Sequence, residues 1–292
     1  MDISLALGGG GSRGYAHIGV LRCLEKEGFR IRAVAGTSAG GIVAVAYAAG
    51  YTPDKMEAVF SALDQSKLFA RSTEEGPGLL GLSGAARFLE ELFGEKTFAD
   101  LHIPCAVVAV DLKAGREVIL NQGSVVEAIL ATVAVPGVFP PRKCGDSHLV
   151  DGAVLNPVPV TVARYLAPAL PVVAVVLEIM TEASSGFRSL PLPLPVPPLL
   201  VERLTRTRVA QAFSIFLQSV DVGSRKLAEL RLLIDNPEVV VRPDVGEIGF
   251  LDQVDVHKII VKGEMAVDVI LPDLQRVVTW PNQLRRRIFR RR

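Results

Sequence analysis

Two glycine-marked turns near the start of the chain constrain its fold more than any other feature, because each joins a short apolar strand to a helix. Ile3 to Leu7 reads as a strand and runs into Gly8-Gly9-Gly10-Gly11-Ser12-Arg13-Gly14. A helix from Tyr15 to Glu27 follows, with Ile18, Leu21 and Leu24 at helical spacing and Gly28 as its stop. Ile31 to Ala35 reads as the second strand, Ala35-Gly36-Thr37-Ser38-Ala39-Gly40-Gly41 as a tight turn, and Ile42 to Ala49 as a helix of small residues. Strand, loop, helix, strand is a right-handed crossover, so the first two strands are expected to be parallel neighbours. Both glycine turns then lie at one edge of the sheet.

A serine on so abrupt a strand-to-helix turn is lifted out of the sheet with its hydroxyl exposed, and Gly36 and Gly40 suit the crowding around it. The helix after it starts with backbone N–H groups aimed at charge forming near Ser38. On the residues alone an ordinary turn with Ser38 as helix cap stands beside this nucleophile-elbow reading. The first loop also has more than one reading. Gly9-Gly10-Gly11-Ser12-Arg13-Gly14 satisfies the dinucleotide pattern G-x-G-x-x-G, but the second strand ends in Gly36-Thr37-Ser38 where that pattern needs an acidic residue. A plain tight turn is another reading, and an oxyanion hole of glycine N–H groups fits the neighbouring serine better.

Further along, Thr52-Pro53-Asp54 marks a helix start, Arg71 to Gly84 a loop, and Ala85 to Phe93 a short amphipathic helix. Cys105 to Asp111 reads as a buried parallel strand, with Asp111 as a turn former or a catalytic carboxylate. Val118 to Leu120 reads as a strand and Val125 to Thr132 as a helix. Pro136-Gly137-Val138-Phe139-Pro140-Pro141 is a stiff loop whose Val138 and Phe139 suit either a pocket wall or the core. Cys144-Gly145-Asp146 looks like a turn, His148 to Val150 a strand, Asp151-Gly152-Ala153 its exit, and Val172 to Ile179 a buried strand. Ser184 to Leu200 holds five prolines and suits either a semi-rigid connector or a lid. Val201 to Ile234 is mostly helical, Val239 to Val241 a late strand, and Asp255 to Ile270 a last amphipathic helix.

Composition narrows the classes of function. A formal net charge of +1 gives no reason to expect nucleic acid as a partner. Cys23, Cys105 and Cys144 are odd in number and far apart, which suits a reducing compartment and offers no metal spacing. No signal peptide or apolar run long enough to span a bilayer is evident, so a cytoplasmic protein, soluble or peripheral at a membrane, is expected. Six arginines lie between Leu284 and Arg292. They suit a peripheral anchor on an anionic membrane or a solvated tail.

An attacking serine needs a base. The order Ser38, Asp151, His257 satisfies an α/β-hydrolase triad formally, but His257 falls inside a helix and the elbow follows only the second strand, too early for that fold. His17 suits packing or capping, and His148 lies three residues before Asp151.

Taken together, four ordered segments resemble the patatin-like phospholipases, the bacterial members above all. They are Gly8 to Gly14 with Ala16-His17-Ile18-Gly19, the Gly36 to Gly40 elbow, Pro136 to Pro141, and Asp151-Gly152-Ala153. Glu247-Ile248-Gly249-Phe250-Leu251 is similar to that family's late segment, so the likeness runs from Ile3 to about Ala266. The insert around Pro191 and the arginine tail have no evident counterpart.

The resemblance implies a Ser-Asp dyad without a catalytic histidine. Ser38 would be the nucleophile, Asp151 the base, and the N–H groups around Gly9, Gly10 and Gly11 the oxyanion hole, with Arg13 adding charge and loop order. No cofactor and no metal is implied, and the partner would be a phospholipid, a lysophospholipid or another small ester. The expected fold is a three-layer α/β/α sandwich with a mostly parallel central sheet over residues 1–275, with the proline-rich insert at about 184–200 and a basic tail at 276–292. The rival functions are a catalytically idle lipid-binding member of the family and a Rossmann-type nucleotide-binding protein.

Overall fold

The computed structural model describes residues 1–73, 75–177, 208–277 and 279. The proline-rich stretch 184–200 and the arginines of Leu284 to Arg292 lie outside the described residues. Eight strands form one sheet, in the order β5-β6-β3-β2-β1-β7-β8 with β4 on β3. Five of them, β1 (Asp2–Leu7), β2 (Arg30–Thr37), β3 (Cys105–Asp111), β7 (Val172–Val175) and β8 (Val239–Val241), pair in parallel. The other three, β4 (Arg116–Leu120), β5 (Arg142–Cys144) and β6 (Ser147–Asp151), are antiparallel. The parallel strands read as near-continuous apolar runs because both of their faces are covered, and all seven residues of β3 are buried.

Alternation along β1 divides the core. Ile3, Leu5 and Leu7 enter one apolar cluster with residues of α1 (Ala16–Lys26), α2 (Ala39–Ala48), α3 (Pro53–Ser61), α4 (Ser83–Phe93), α5 (Val125–Thr132) and α8 (Val256–Val277). Ala6 enters a second cluster with α6 (Val160–Leu166) and α7 (Arg208–Asp235). Ser4 faces the same way as Ala6 and donates from Oγ to Ala163 O of α6 at 2.9 Å. Helices therefore cover both sheet faces, which gives the expected three layers. On the first face α1 and α8 approach closely: a Cβ at Gly19 would stand 1.9 Å from Ile260 O, and one at Gly263 2.0 Å from Ala16 O. These two mid-helix glycines cost helix propensity, and backbone contact is what they allow.

Several elements differ from the expected ones. The last helix runs through Pro272 to Val277, past the expected end at Ile270, because Leu274 beyond the proline is fully buried and its packing offsets the lost hydrogen bond. The seven residues of α6 give no helical signal, being short and rich in valine. Residues 142–144 form a hairpin strand with β6 around the expected Cys144-Gly145-Asp146 turn.

β1 lies between β2 and β7, so the chain builds outward through β2 and β3 and then returns to the other side of β1. Loops at such a reversal diverge and leave a crevice at the carboxyl ends of the strands. The glycine loop leaves β1 at that edge.

Candidate active site

Strand β3 aligns the two candidate reacting groups. Its residues Val107 to Asp111 pair with β4 on one edge, so the partners at the other edge are β2, up to Thr37 opposite Val108, and then β6, with Asp151 opposite Ala109. β2 runs parallel to β3 and β6 antiparallel, so their carboxyl ends meet head-on at successive positions of one edge. Ser38 and Asp151, separated by 113 residues in sequence, are thereby brought together: Ser38 Oγ donates to Asp151 Oδ2 at 2.6 Å.

The turn at Ser38 is strained. Its backbone has φ 54° and ψ −126°, a region that side chains other than glycine rarely occupy. The strain is held by packing on both sides of the turn, since a Cβ on Gly40 would lie 2.3 Å from Leu7 O, which explains why α2 must begin with small residues. Ser38 N–H donates to Thr132 Oγ1 at 2.9 Å, and Thr132 Oγ1 in turn donates to Val108 O on β3. Thr132 closes α5 and has no distinguishing sequence signal; only the packing of α5 on β3 shows its part. Ser38 also stands at the amino end of the ten-residue α2, where the helix dipole favours negative charge.

Asp151 ends β6 and its second oxygen, Oδ1, accepts from Ala153 N–H at 2.8 Å. The carboxyl is 2% exposed, and burial pushes it up to about 6, against the opposing pull of the hydrogen bonds from Ser38 and Ala153. Asp111, the other carboxylate weighed from sequence, forms the turn after β3. It accepts from the Lys113 and Ala114 amides and from Ser147 Oγ.

The glycine loop lies beside the serine: a Cβ on Gly9 would stand 3.3 Å from Ser38 Cβ. The expected set of amide donors narrows here, because Gly9 N–H is already given to Pro157 O at 3.0 Å. Among the described residues nothing accepts from Gly10 or Gly11 N–H. Arg13 is buried and donates from Nε to Ile248 O and from Nη1 to Leu177 O, so it ties the loop to two other segments. His17 also braces the loop. Burial pushes its imidazole down to about 4, and the neutral ring donates from Nε2 to Gly8 O at 2.8 Å. His257 faces solvent and pairs through Nδ1 with Glu57 Oε1, while His148 is exposed on β6. No histidine hydrogen bonds to Ser38 or Asp151 among the described residues.

Over Ser38 lies a cavity of about 560 Å³ with walls that are mostly apolar and include Tyr15, Phe60, Phe88, Ile129 and Phe139. Phe139 is both buried and a wall of the cavity, with its ring 5.5 Å from that of Phe69, whereas Val138 belongs to the core alone. Against the dinucleotide reading, the chain itself fills the space beside the loop. Ser12 N–H donates to Phe250 O, and a Cβ on Gly11 would stand 2.1 Å from that oxygen. No cluster of three metal-ligating side chains occurs among the described residues. Chemically the arrangement offers a hydroxyl in contact with a carboxylate, two unengaged amides nearby, and apolar space for a chain.

Residues 5–164 match the family of patatin-like phospholipases. The chain belongs to that family. The matched stretch of this patatin-like phospholipase family member includes the glycine loop, Ser38 and Asp151. An uncharacterized NTE family protein of Mycobacterium tuberculosis is 32% identical over 94% of this chain and 48% of its own length. A patatin-like phospholipase domain-containing protein of Mus musculus is 32% identical over 56% of this chain and 13% of its own. The chain thus spans about half the length of the mycobacterial relatives it matches. VipD from Legionella pneumophila shares the fold, with a TM-score of 0.50 at 12% identity over 94% of this chain and 66% of that one.

Proposed function

We propose that this protein is a serine esterase that hydrolyses acyl esters of phospholipids or lysophospholipids. The observation that carries the reading is the 2.6 Å hydrogen bond from Ser38 Oγ to a buried carboxylate at the edge of an apolar cavity. Ser38 Oγ attacks the ester carbonyl while its proton passes to Asp151. The carbonyl π electrons move to oxygen, and the Gly10 and Gly11 amides stabilise the resulting oxyanion together with the amino end of α2. Collapse expels the alcohol, which takes the proton from Asp151 and leaves an acyl group on Ser38. Water then gives a proton to Asp151 and attacks the acyl carbonyl. The second collapse returns that proton to Ser38 Oγ and releases a fatty acid. A carboxylate held near a pKa of about 6 is a stronger base than an exposed aspartate, and it is ionised at neutral pH.

The family's phospholipase name and the apolar cavity wall support a lipid acyl chain as the group bound. The test is labelling by a fluorophosphonate, with the adduct mapped to Ser38, alongside release of fatty acid from lysophosphatidylcholine vesicles. Ser38→Ala and Asp151→Asn should each lower ester turnover by about 10³-fold or more, while His257→Ala leaves it. An active Asp151→Asn enzyme, or an adduct on another residue, would remove the dyad from the account.

A further inference from the structure

We infer that Gln65 sets the length of acyl chain the cavity accepts, an inference that rests on the esterase reading. The cavity over Ser38 abuts a second, more open one of about 350 Å³, and the two share Leu63, Gln65, Gln253 and Val254 in their walls. Ser38 lines only the first. The shared residues therefore divide the space reached from Ser38 from the space beyond.

Gln65 holds that division by a reciprocal pairing. Its Nε2 donates to Val254 O at 3.1 Å and its Oε1 accepts from Val254 N–H at 3.2 Å. A carboxamide carries a donor and an acceptor as a peptide group does, so one side chain satisfies both backbone groups of Val254. The segment it holds is tethered elsewhere too: Ser12, beside the unengaged glycine amides, donates to Phe250 O and, from Oγ, to Asp252 O at 2.7 Å. Residues 250–254 thus form a strap across the cavity wall, fastened to the glycine loop and to Gln65. Chemically, an acyl chain grows in apolar space until it meets this polar clasp, which it cannot pass without stripping both hydrogen bonds.

Cutting Gln65 back to alanine removes the tether and opens its part of the partition that Leu63, Gln253 and Val254 share. Gln65→Ala should raise the ratio of kcat/KM for p-nitrophenyl hexadecanoate over p-nitrophenyl butanoate by about 10-fold, chiefly through KM of the long ester. Gln65→Trp, which fills the passage, should lower the same ratio. Labelling of Ser38 by a short-chain fluorophosphonate in each variant shows that the site is assembled. With Ser38 labelled, a ratio unmoved in both variants overturns the inference, and so does an equal loss on both esters, the mark of a structural brace. Absence of Ser38 labelling in the unaltered protein overturns the esterase reading itself, and the inference with it.

Discussion

In the proposed dyad, Asp151 would couple activity to stability through one proton. An ordinary aspartate titrates near 3.8, and burial raises this one to about 6. The folded protein therefore holds a proton on Asp151 that the unfolded chain has lost at the same pH. Stability falls as pH rises between those two values, and the cost is complete above about 6, at about 3 kcal/mol by order of magnitude. Under the proposed mechanism activity runs the opposite way, because the base must be ionised. A pH profile of kcat/KM should rise through an apparent pKa near 6 with the slope of a single group, and Asp151→Asn should melt higher than the natural chain above pH 6 while being inactive. A melting difference that does not change across that window would show the carboxyl to be unperturbed. Thr132 makes a second claim at this scale. Thr132→Val leaves Ser38 N–H and Val108 O buried without their partner, so thermal unfolding should show a loss of about 1–3 kcal/mol. Thr132→Ser, which keeps the hydroxyl, should restore both stability and the rate of fluorophosphonate labelling.

Between elements, the decisive contact is the end-to-end meeting of β2 and β6 on β3. Neither strand contributes much alone: β6 has five residues, and only Leu149, Val150 and Asp151 are buried in it. What fixes their spacing is the ladder of β3, which holds successive partners one residue apart. The amino end of α2 must press against the end of β1 for Ser38 to stand there. Gly40→Ala places a methyl 2.3 Å from Leu7 O, so the helix must retreat. Its denaturant midpoint should fall by the equivalent of about 1–3 kcal/mol, with labelling of Ser38 lost in the molecules that still fold. Equal labelling in a stable Gly40→Ala protein would mean that the turn tolerates a shift the packing argument forbids.

For the whole molecule, the cavity is a place where the glycine loop, helices α2 to α5 and the 250–254 strap share one mostly apolar wall. Filling it should stabilise the fold as a bound ligand does. A long-alkyl fluorophosphonate adduct should therefore raise Tm above that of a methyl or ethyl phosphonate adduct, and equal Tm values would place the alkyl chain outside the cavity. The sequence by itself determined the parallel crossover at the start, the glycine-marked edge and the serine placed on it, since these follow from local rules: glycines where backbone must turn or crowd, apolar runs where strands are buried on both faces. It also contained Asp151 as an aspartate at a strand exit, and the ordered motifs made it a partner for Ser38. Only the tertiary structure decided that Gly9 spends its amide on Pro157, that Thr132 holds Ser38 N–H, and that Gln65 clasps Val254. Each of these joins residues far apart in the chain, the last pair by 189 positions, and such contacts leave no periodicity to read. Hydrogen-bond partners are chosen by which groups burial brings within 3 Å or so of one another, and that choice exists only once the layers have packed.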